Sequence, residues 1–380
     1  MSDPAPSVDP ESVERRRRLL DLLEKDARPD GFVPFDRFME RALFADGLGF
    51  YARDRSPFGP GGDFYTAAHV SPLFAASLAA RIEVAVNALA PCRQFRVVEL
   101  GPGDGTLAAG ILGALAARGL GSAVHDYVLV ERSAPLREAS LARAKSAAEP
   151  EGPLVRAGSS IGEDGPFSGV VVANELLDAQ PARRFRRAGG EWRELGVRRD
   201  GDRLRPAEGA ILQPVPGPRL PEVPEGTVVE VSPAAEALVR EVGDHLSHGL
   251  CIFLDYGMEE EELVSGHPGG TLDAVRRHQF ETDPLEFPGD TDLSVFVNFT
   301  RIRAAARAAG LREVTFAPQN EALGRWGFPA LLEAALRRAG SSEAEVKLRL
   351  AAKNLLFGFE RFRVLELVSP SALGGTTGLT

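Results

Sequence analysis

The chain has 380 residues, of which 44% are hydrophobic, so it is long enough for one elaborated globular domain or for two. Its formal net charge of -10 weighs against a protein that wraps nucleic acid, and no apolar run reaches the ~20 residues that cross a bilayer. Cys92 and Cys251 lie far apart without metal-type spacing, which indicates neither a disulfide framework nor a metal site. These features predict a cytoplasmic protein without nucleic-acid or membrane partners, and they leave a homodimer open.

The first 90 residues are predicted to form a mostly helical region. Four arginines at 15–18 precede leucines at helical spacing, which favours the solvated side of an amphipathic helix over a nucleic-acid patch. A loop rich in glycine and proline, SPFGPGGDFYT, covers 56–66. Pro72 then stands in the first turn of a helix that is predicted to reach Leu89.

After residue 90, short apolar strands alternate with helical segments. The strand patterns are FRVVEL, DYVLVE, GVVVANE, TVVEV and LCIFLDYG. This alternation is typical of a parallel sheet that helices cover on both faces. The sequence therefore predicts an α/β fold with a doubly wound, mostly parallel sheet of the Rossmann type, built from 91–257 and 299–368.

Two segments interrupt the alternation. Residues 183–224 alternate apolar and charged side chains, which predicts one or two antiparallel hairpins. Residues 258–298 are rich in Gly, Pro, Asp and His and follow a strand end, the edge of an open α/β sheet where ligands bind, so they are interpreted as a substrate lid. LREVTFAPQ and ERFRVLELV are predicted to close the fold as strands, and 369–380 are predicted to be disordered.

The stretch VVELGPGDGT reads as a strand, a tight turn and the start of a helix. Gly101, Gly103 and Gly105 permit positive φ and let backbone amides approach a ligand. The spacing is G-x-G-x-G rather than the G-x-G-x-x-G of dinucleotide sites, and the acids Glu99 and Asp104 suit a pyrophosphate poorly. A cationic ligand without phosphate fits better, and S-adenosylmethionine is such a molecule.

Glu131 ends the next strand, 32 residues after Glu99, where a carboxylate can accept both hydroxyls of a ribose. Two structural alternatives stay open. Glycine-rich turns also occur for purely structural reasons. An acid that follows a strand can cap the next helix.

The chain also resembles the MidA-like S-adenosylmethionine-dependent methyltransferases, which include the mitochondrial complex I assembly methyltransferase. The matching stretches run in family order from about residue 30 to 368: GDFYTAAHVSPLF, VVELGPGDGTL, VLVERSAPLREA, VVANELLDAQPARRF, VVEVSPAAEALV, FLDYG, GTLDAVRRHQFETDPLEFPGDTDLSVFVNFT and ERFRVLELV. The resemblance implies a class I methyltransferase core with helical and lid additions. Because the mitochondrial member is a protein arginine methyltransferase, it also implies arginine as the acceptor.

Matching positions imply roles for individual residues. Those implied to bind the cofactor are Asp63, Thr66, Glu99, Gly101, Gly103, Gly105, Glu131 and Asn174. Glu175 and Asp178 are implied to face the methyl acceptor. Three positions depart from the family pattern: His69 and Asn298 replace acids, and Asp104 replaces the arginine of GPGRGTL.

Several side chains could orient the acceptor or take its proton, as methyl transfer requires. Glu175 and Asp178 are three residues apart after a strand, and Asp255 and Tyr256 end another. His278 in the predicted lid is a further candidate proton acceptor. Structural roles compete with each assignment: Asp178 could be solvated, Tyr256 could pack against the lid, and a lone histidine more often has a structural role.

These observations lead to three functional hypotheses. The first is a methyltransferase that acts on a protein side chain, with arginine implied by the resemblance. The second is a methyltransferase of a small molecule or modified peptide, favoured by the lost acids and the irregular lid. The third is an assembly or interaction protein that binds the cofactor without turnover, against which the retained ANELLDA motif argues.

Overall fold

The structure is a computed structural model, and it describes residues 10–53, 57, 67–89, 92, 94–148, 150–163, 165–210 and 220–372. The helices are α1 Pro10–Asp26, α2 Phe35–Phe44, α3 Ala67–Val70, α4 Pro72–Ala88, α5 Thr106–Ala117, α6 Ala134–Ala147, α7 Pro233–His245, α8 Glu260–Gly266, α9 Phe299–Ala308, α10 Gln319–Arg325, α11 Phe328–Arg338 and α12 Ser342–Phe357. A short 3-10 helix covers Gly121–Ala123.

The strands are β1 Val33–Pro34, β2 Phe95–Leu100, β3 Asp126–Val130, β4 Leu154–Gly158, β5 Phe167–Asn174, β6 Arg183–Ala188, β7 Glu191–Asp200, β8 Arg203–Ala210, β9 Val228–Val231, β10 Leu246–Met258, β11 Asp273–Arg276, β12 Gln279–Phe280, β13 Asp292–Ser294, β14 Val297–Asn298, β15 Arg312–Pro318 and β16 Phe362–Val368. The chain groups into two compact units. The antiparallel unit comprises Met1–Pro57, Ala179–Ala234 and Glu261–Val295, and the parallel-sheet unit comprises Phe58–Asp178, Ala235–Glu260 and Phe296–Thr380.

The parallel-sheet unit is built on one sheet with the strand order β15-β16-β10-β5-β2-β3-β4, and β14 pairs with β10. Strands β2, β3, β4, β5 and β10 run parallel to one another, whereas β16 runs antiparallel to both β10 and β15. The mostly parallel sheet confirms the predicted α/β fold. The strand order reverses between β2 and β5, and such a switch point opens a crevice at the carboxyl ends of the strands.

The central strands are apolar on both faces because each face packs against helices. Val97 and Val170 belong to a core shared with α4 and α5, while Val98 and Val171 belong to a core shared with α7 and α9. Alternate residues of a strand point to opposite faces, so a continuous valine run fills both cores. This packing fixes the carboxyl ends of β2 and β5 side by side.

The antiparallel unit contains the predicted hairpins, since β7 pairs antiparallel with both β6 and β8. The bounds of this unit differ from those of the predicted segments, because the unit also contains α1, α2 and most of the predicted lid. Within that segment, β11 pairs with β12 and β13 as a small sheet. A closing movement of 258–298 stays a prediction.

The two predicted carboxyl-terminal strands form as β15 and β16, and they pair antiparallel. The prediction of disorder from residue 369 onward is wrong for 369–372. Ser369 and Ala372 are buried, and the backbone N–H of Ser369 donates to the carbonyl of Gly249 at 3.0 Å. Residues 373–380 lie outside the described residues. Among the helices that are described, none is long and apolar enough to cross a membrane.

Candidate functional site

The glycine turn that follows β2 adopts the backbone that its sequence predicts. Gly101, Gly103 and Gly105 have φ of 64°, 55° and 81°, a region that side chains rarely tolerate. Space is also limiting at the third glycine, because a Cβ on Gly105 would lie 2.7 Å from the Cα of Ser140 in α6. Gly105 therefore permits the close packing of this turn on α6.

Asp104 closes this turn and is held in its ionised form. Its Oδ1 accepts from the backbone N–H of Thr106 at 3.0 Å, and its Oδ2 lies 3.3 Å from His69 Nε2 and 3.3 Å from Arg143 Nη2. Burial opposes the charge, but the hydrogen bonds from His69 and Thr106 outweigh it and lower the pKa of Asp104 to about 2. His69 and Asp104, two of the departures from the family pattern, thus form one contact.

Glu99, at the end of the same strand, has the opposite electrostatic character. It is buried, and its Oε2 accepts from the Tyr127 hydroxyl at 2.5 Å. Burial raises the pKa of Glu99 to about 7 despite this hydrogen bond, and the charge of Asp104 adds to the rise. The carboxyl group of Glu99 is therefore much less acidic than that of Asp104.

A cleft that is open to solvent lies over these groups. Residues from the glycine turn, from α3 and from the end of β5 border it: His69, Glu99, Gly101, Pro102, Gly103, Asp104, Thr106, Leu107, Asn174 and Glu175. The cleft thus lies at the switch point between β2 and β5.

Asn174 presents an unsatisfied acceptor at this cleft. Its Nδ2 donates to Glu175 Oε1 at 3.0 Å, while its Oδ1 is buried and has no hydrogen-bond partner within the described chain. Burying a polar atom without a partner costs about 1–3 kcal/mol, so a ligand that donates a hydrogen bond here is favoured. The side chain does not cap a helix, because the residues after β5 form turns.

Glu175 has a backbone that is rare for a residue with a side chain, with φ of 52°. Its Oε1 accepts from the Ala67 backbone N–H at 3.2 Å and from Asn174. Burial raises the pKa of Glu175 to about 7, the charge of Asp178 raises it further, and the hydrogen bonds and His69 act against the rise. A carboxyl group that titrates near neutrality therefore borders the cleft.

Asp255 fixes the turn that carries Glu175 and Asp178. Its Oδ2 accepts from the backbone N–H groups of Leu176 at 3.0 Å, Leu177 at 2.8 Å and Asp178 at 3.4 Å, and its Oδ1 accepts from the Tyr256 N–H at 2.9 Å. Burial raises the pKa of Asp255 well above its usual range, and the charge of Asp178 adds to this. Asp178 is buried, so the solvated alternative is wrong.

Glu131 follows β3 at the same edge of the sheet but is not among the described residues that border the cleft. Its Oε1 accepts from the Ser133 N–H at 2.8 Å, but Ser133 and not Glu131 is the N-cap of α6, so the capping alternative is wrong. Burial raises the pKa of Glu131, and the bond from Ser133 counteracts the rise. Its contact with a ribose stays a prediction.

The remaining candidates lie in different surroundings. Tyr256 packs edge-on against Phe296 with ring centroids 5.3 Å apart, so it contacts the segment predicted to be the lid. His278 is exposed in the two-residue turn between β11 and β12, with φ of 62°. Their roles in catalysis stay predictions, and Asp63 and Thr66 lie outside the described residues.

The third departure from the family pattern has a local explanation. Asn298 caps α9, because its Oδ1 accepts from the Arg301 N–H at 3.2 Å, and its Nδ2 donates to Glu260 at 3.1 Å. Asparagine and aspartate cap helices about equally well, but only asparagine can donate to a carboxylate. The loss of an acid here avoids repulsion with Glu260.

The cleft fits a cationic ligand better than a phosphate. Its described border contains three carboxyl groups and the free acceptor of Asn174, and it contains no lysine or arginine. An ammonium or sulfonium group is stabilised by such surroundings, whereas phosphate sites rely on cations and helix N-termini. The residues present therefore fit the predicted S-adenosylmethionine.

Comparison with known proteins decides the family. Residues 77–317 match the family described as "Putative S-adenosyl-L-methionine-dependent methyltransferase". The chain belongs to this methyltransferase family. A crystal structure from Burkholderia thailandensis with bound S-adenosyl-homocysteine is 31% identical and has a TM-score of 0.84, over 96% of this chain and 95% of that chain.

Two curated relatives of this methyltransferase are the mitochondrial protein arginine methyltransferase NDUFAF7 of Mus musculus and its homolog in Caenorhabditis elegans. They are 28% and 26% identical, over 91% of this chain and 83% and 85% of their own lengths. The MidA-like resemblance, the class I fold and the S-adenosylmethionine cofactor are thereby confirmed. The cytoplasmic prediction is wrong, since these relatives are named as mitochondrial.

Among the residues that border the cleft, sequence reasoning included Pro102 and Asp104 as part of the glycine turn but did not assign His69, Thr106 and Leu107 to the site. His69 carried a signal, because it departs from the family pattern. The others follow from the turn itself: three glycines with positive φ bring every residue between 101 and 107 to the strand edge.

Proposed function

We propose that this methyltransferase acts on a protein side chain, that the acceptor is arginine, and that Glu175 takes up the proton that the acceptor nitrogen loses. The observation that carries the proposal is the Glu175 carboxyl group, which borders the cleft and has a pKa raised to about 7. A base is most effective when its pKa lies near the working pH. The relatives named as protein arginine methyltransferases support the choice of acceptor.

The residues that would hold the cofactor are Asn174, Glu99, the glycine turn and Glu131. When bound, S-adenosylmethionine supplies an electrophilic methyl group on a sulfonium. The buried Oδ1 of Asn174 would accept from the ammonium group. The turn has positive φ values and is therefore built from glycines, which have no Cβ atom that could hinder the ligand. The low pKa of Asp104 keeps one negative charge beside the cation at every physiological pH.

The carboxyl groups after β5 would serve the acceptor. A nitrogen that takes a methyl group gains positive charge and then releases a proton, and Glu175 is a titrating group on the cleft border that could take it. Burial raises the pKa of Glu175, and the charge of Asp178 adds to the rise. Asp255 fixes the Leu176–Asp178 turn through backbone bonds, so the position of Glu175 is set before the acceptor arrives.

The test is methyl transfer from isotope-labelled S-adenosylmethionine to a peptide library, read by mass spectrometry. Each arginine peptide is paired with the same peptide carrying lysine. We expect label on arginine nitrogens and none on the lysine partners. Label that appears only on lysine, on a carboxyl group or on small molecules from cell extract would contradict the proposed acceptor.

A further inference from the structure

The outer face of α12 is apolar and uncovered within the described chain. Val346, Leu350 and Phe357 are 54%, 61% and 63% exposed, whereas Ala352 and Leu355 on the inner face are buried. Single exposed apolar residues are common, but three large ones aligned on one helix mark a contact surface. We call Val346, Leu350 and Phe357 the apolar strip.

The strip continues a heptad pattern. Glu343, Val346, Leu350, Lys353 and Phe357 follow one another at intervals of three, four, three and four residues, and all are exposed. This spacing is the a/d seam by which two helices pack side by side. The charges are segregated along the helix: its acids lie in the first turn, at Glu343 and Glu345, and Lys353 lies toward the other end.

We propose that the apolar strip is the contact surface for a second copy of this chain, with the two α12 helices packed antiparallel across a two-fold axis. In an antiparallel pair, each a position faces a d position of the other copy. Val346 then packs on Leu350 of the second copy, and Glu343 faces Lys353 at both ends of this contact, while Phe357 lies beyond it because the facing position precedes α12 of the second copy. The seam is self-complementary, as a two-fold interface must be.

The charge pattern selects this arrangement over a parallel pair. Parallel helices would place Glu343 opposite Glu343 and Lys353 opposite Lys353, which is repulsive. Glu343 is already paired with Lys347 at 2.7 Å, but both side chains are more than 70% exposed, so this pair is exchanged at little cost. One 16-residue helix offers a small interface, so we expect a weak dimer that dissociates in the micromolar range.

The mass of the full chain in solution, measured against protein concentration by sedimentation, tests the proposal. We expect a concentration-dependent rise from one chain to twice that mass. Leu350→Glu should abolish the rise, while Val84→Glu, a change at an exposed apolar residue of α4, should leave it intact. A chain that stays monomeric at about 100 μM, or a dimer unaffected by Leu350→Glu, would overturn the proposal.

Charge exchange tests the register itself. Glu343→Lys and Lys353→Glu each place like charges opposite one another at both ends, so each should weaken the dimer by about tenfold or more. The double variant restores opposite charges in both layers and should recover the wild-type dissociation constant. If the double variant is as weak as the single variants, the antiparallel register is wrong. Both residues are exposed, and unchanged thermal unfolding of the monomer verifies that each variant folds.

Discussion

Asp104 and Glu175 border the same cleft but lie on turns that follow different strands, β2 and β5. At the β2 turn, burial would raise the pKa of Asp104, but hydrogen bonds from His69 and the Thr106 N–H outweigh it and lower the pKa to about 2. At the β5 turn, burial raises the pKa of Glu175 to about 7, and the charge of Asp178 adds to the rise. The two acids therefore differ in protonation over most of the accessible pH range.

This difference shows that the partners of each turn, rather than the shared cleft, decide what a carboxyl group can do. An acid that is always charged can hold a cation but is a poor proton acceptor, because its conjugate acid is too strong. An acid that titrates near neutrality can take and release a proton. Active sites often contain such pairs with divergent pKa values. We therefore propose that the β2 side serves binding and that the β5 side serves chemistry.

The largest expected effect is on the β5 side. Glu175→Gln keeps the shape of the side chain but removes the proton acceptor, so single-turnover rates should fall by about 10² to 10⁴. Affinity for S-adenosylmethionine, measured by calorimetry, should change little. Glu99→Gln is the contrasting variant: Glu99 also has a pKa near 7 but is proposed to hold the cofactor, so this change should lower affinity more than the single-turnover rate at saturating cofactor. A Glu175→Gln rate within about threefold of wild type would mean that Glu175 is structural.

The next effect concerns the architecture of the β2 turn. Gly105→Ala imposes a positive φ on a side chain and brings its Cβ to 2.7 Å from the backbone of Ser140, which together should lower the free energy of unfolding by about 2–5 kcal/mol. Gly119→Ala is the control, because Gly119 has φ of 72° with open space around its Cβ position and should cost only about 1 kcal/mol. Equal losses in chemical denaturation would show that strain, and not the approach of α6, explains Gly105.

The strand, turn and helix around Gly101 were predictable because they are local in sequence. The contacts that set protonation were not, because their partners are distant: His69 and Asp104 are 35 residues apart, and Asp255 reaches the Leu177 backbone across 78. The strand end predicted Asp255 near the acceptor, but the backbone bonds that occupy its carboxylate depend on the turn geometry at Glu175. A positive φ at a glutamate has no signal in a single sequence.

A smaller effect tests whether Glu131 belongs to the binding side. If its carboxylate accepts from the ribose, Glu131→Ala should weaken S-adenosylmethionine binding by about 1–3 kcal/mol. Glu138→Ala, at an exposed position of α6, is the control and should bind as wild type does. Unchanged affinity of Glu131→Ala would leave Glu131 with its contact to Ser133 alone, and the ribose would need another partner.

The smallest expected effect is on the pH dependence of the free energy of unfolding, measured for the protein without ligand. This one measurement reports on both turns. The lowered pKa of Asp104 means that the folded state binds fewer protons than the unfolded state between about pH 2 and 3.8, so its stabilising contribution is present above that window and is lost as the pH falls through it. The raised pKa of Glu175 means that the folded state binds more protons between 4.5 and about 7, so its contribution is present below that window and is lost as the pH rises.

Asp104→Asn should therefore destabilise the protein at pH 7, by on the order of 1 kcal/mol, and converge with wild type near pH 2. The free energy of unfolding of Glu175→Gln should be closest to that of wild type near pH 4.5. It should exceed the wild-type value increasingly as the pH rises to 8, because glutamine carries no charge whose burial costs free energy. The stability difference between Asp104→Asn and wild type therefore changes between about pH 2 and 3.8. The difference for Glu175→Gln changes between pH 4.5 and about 7, with the opposite sign. If both substitutions changed stability in the same window, the two turns would share one electrostatic environment, and the division between a binding side and a chemical side would fail.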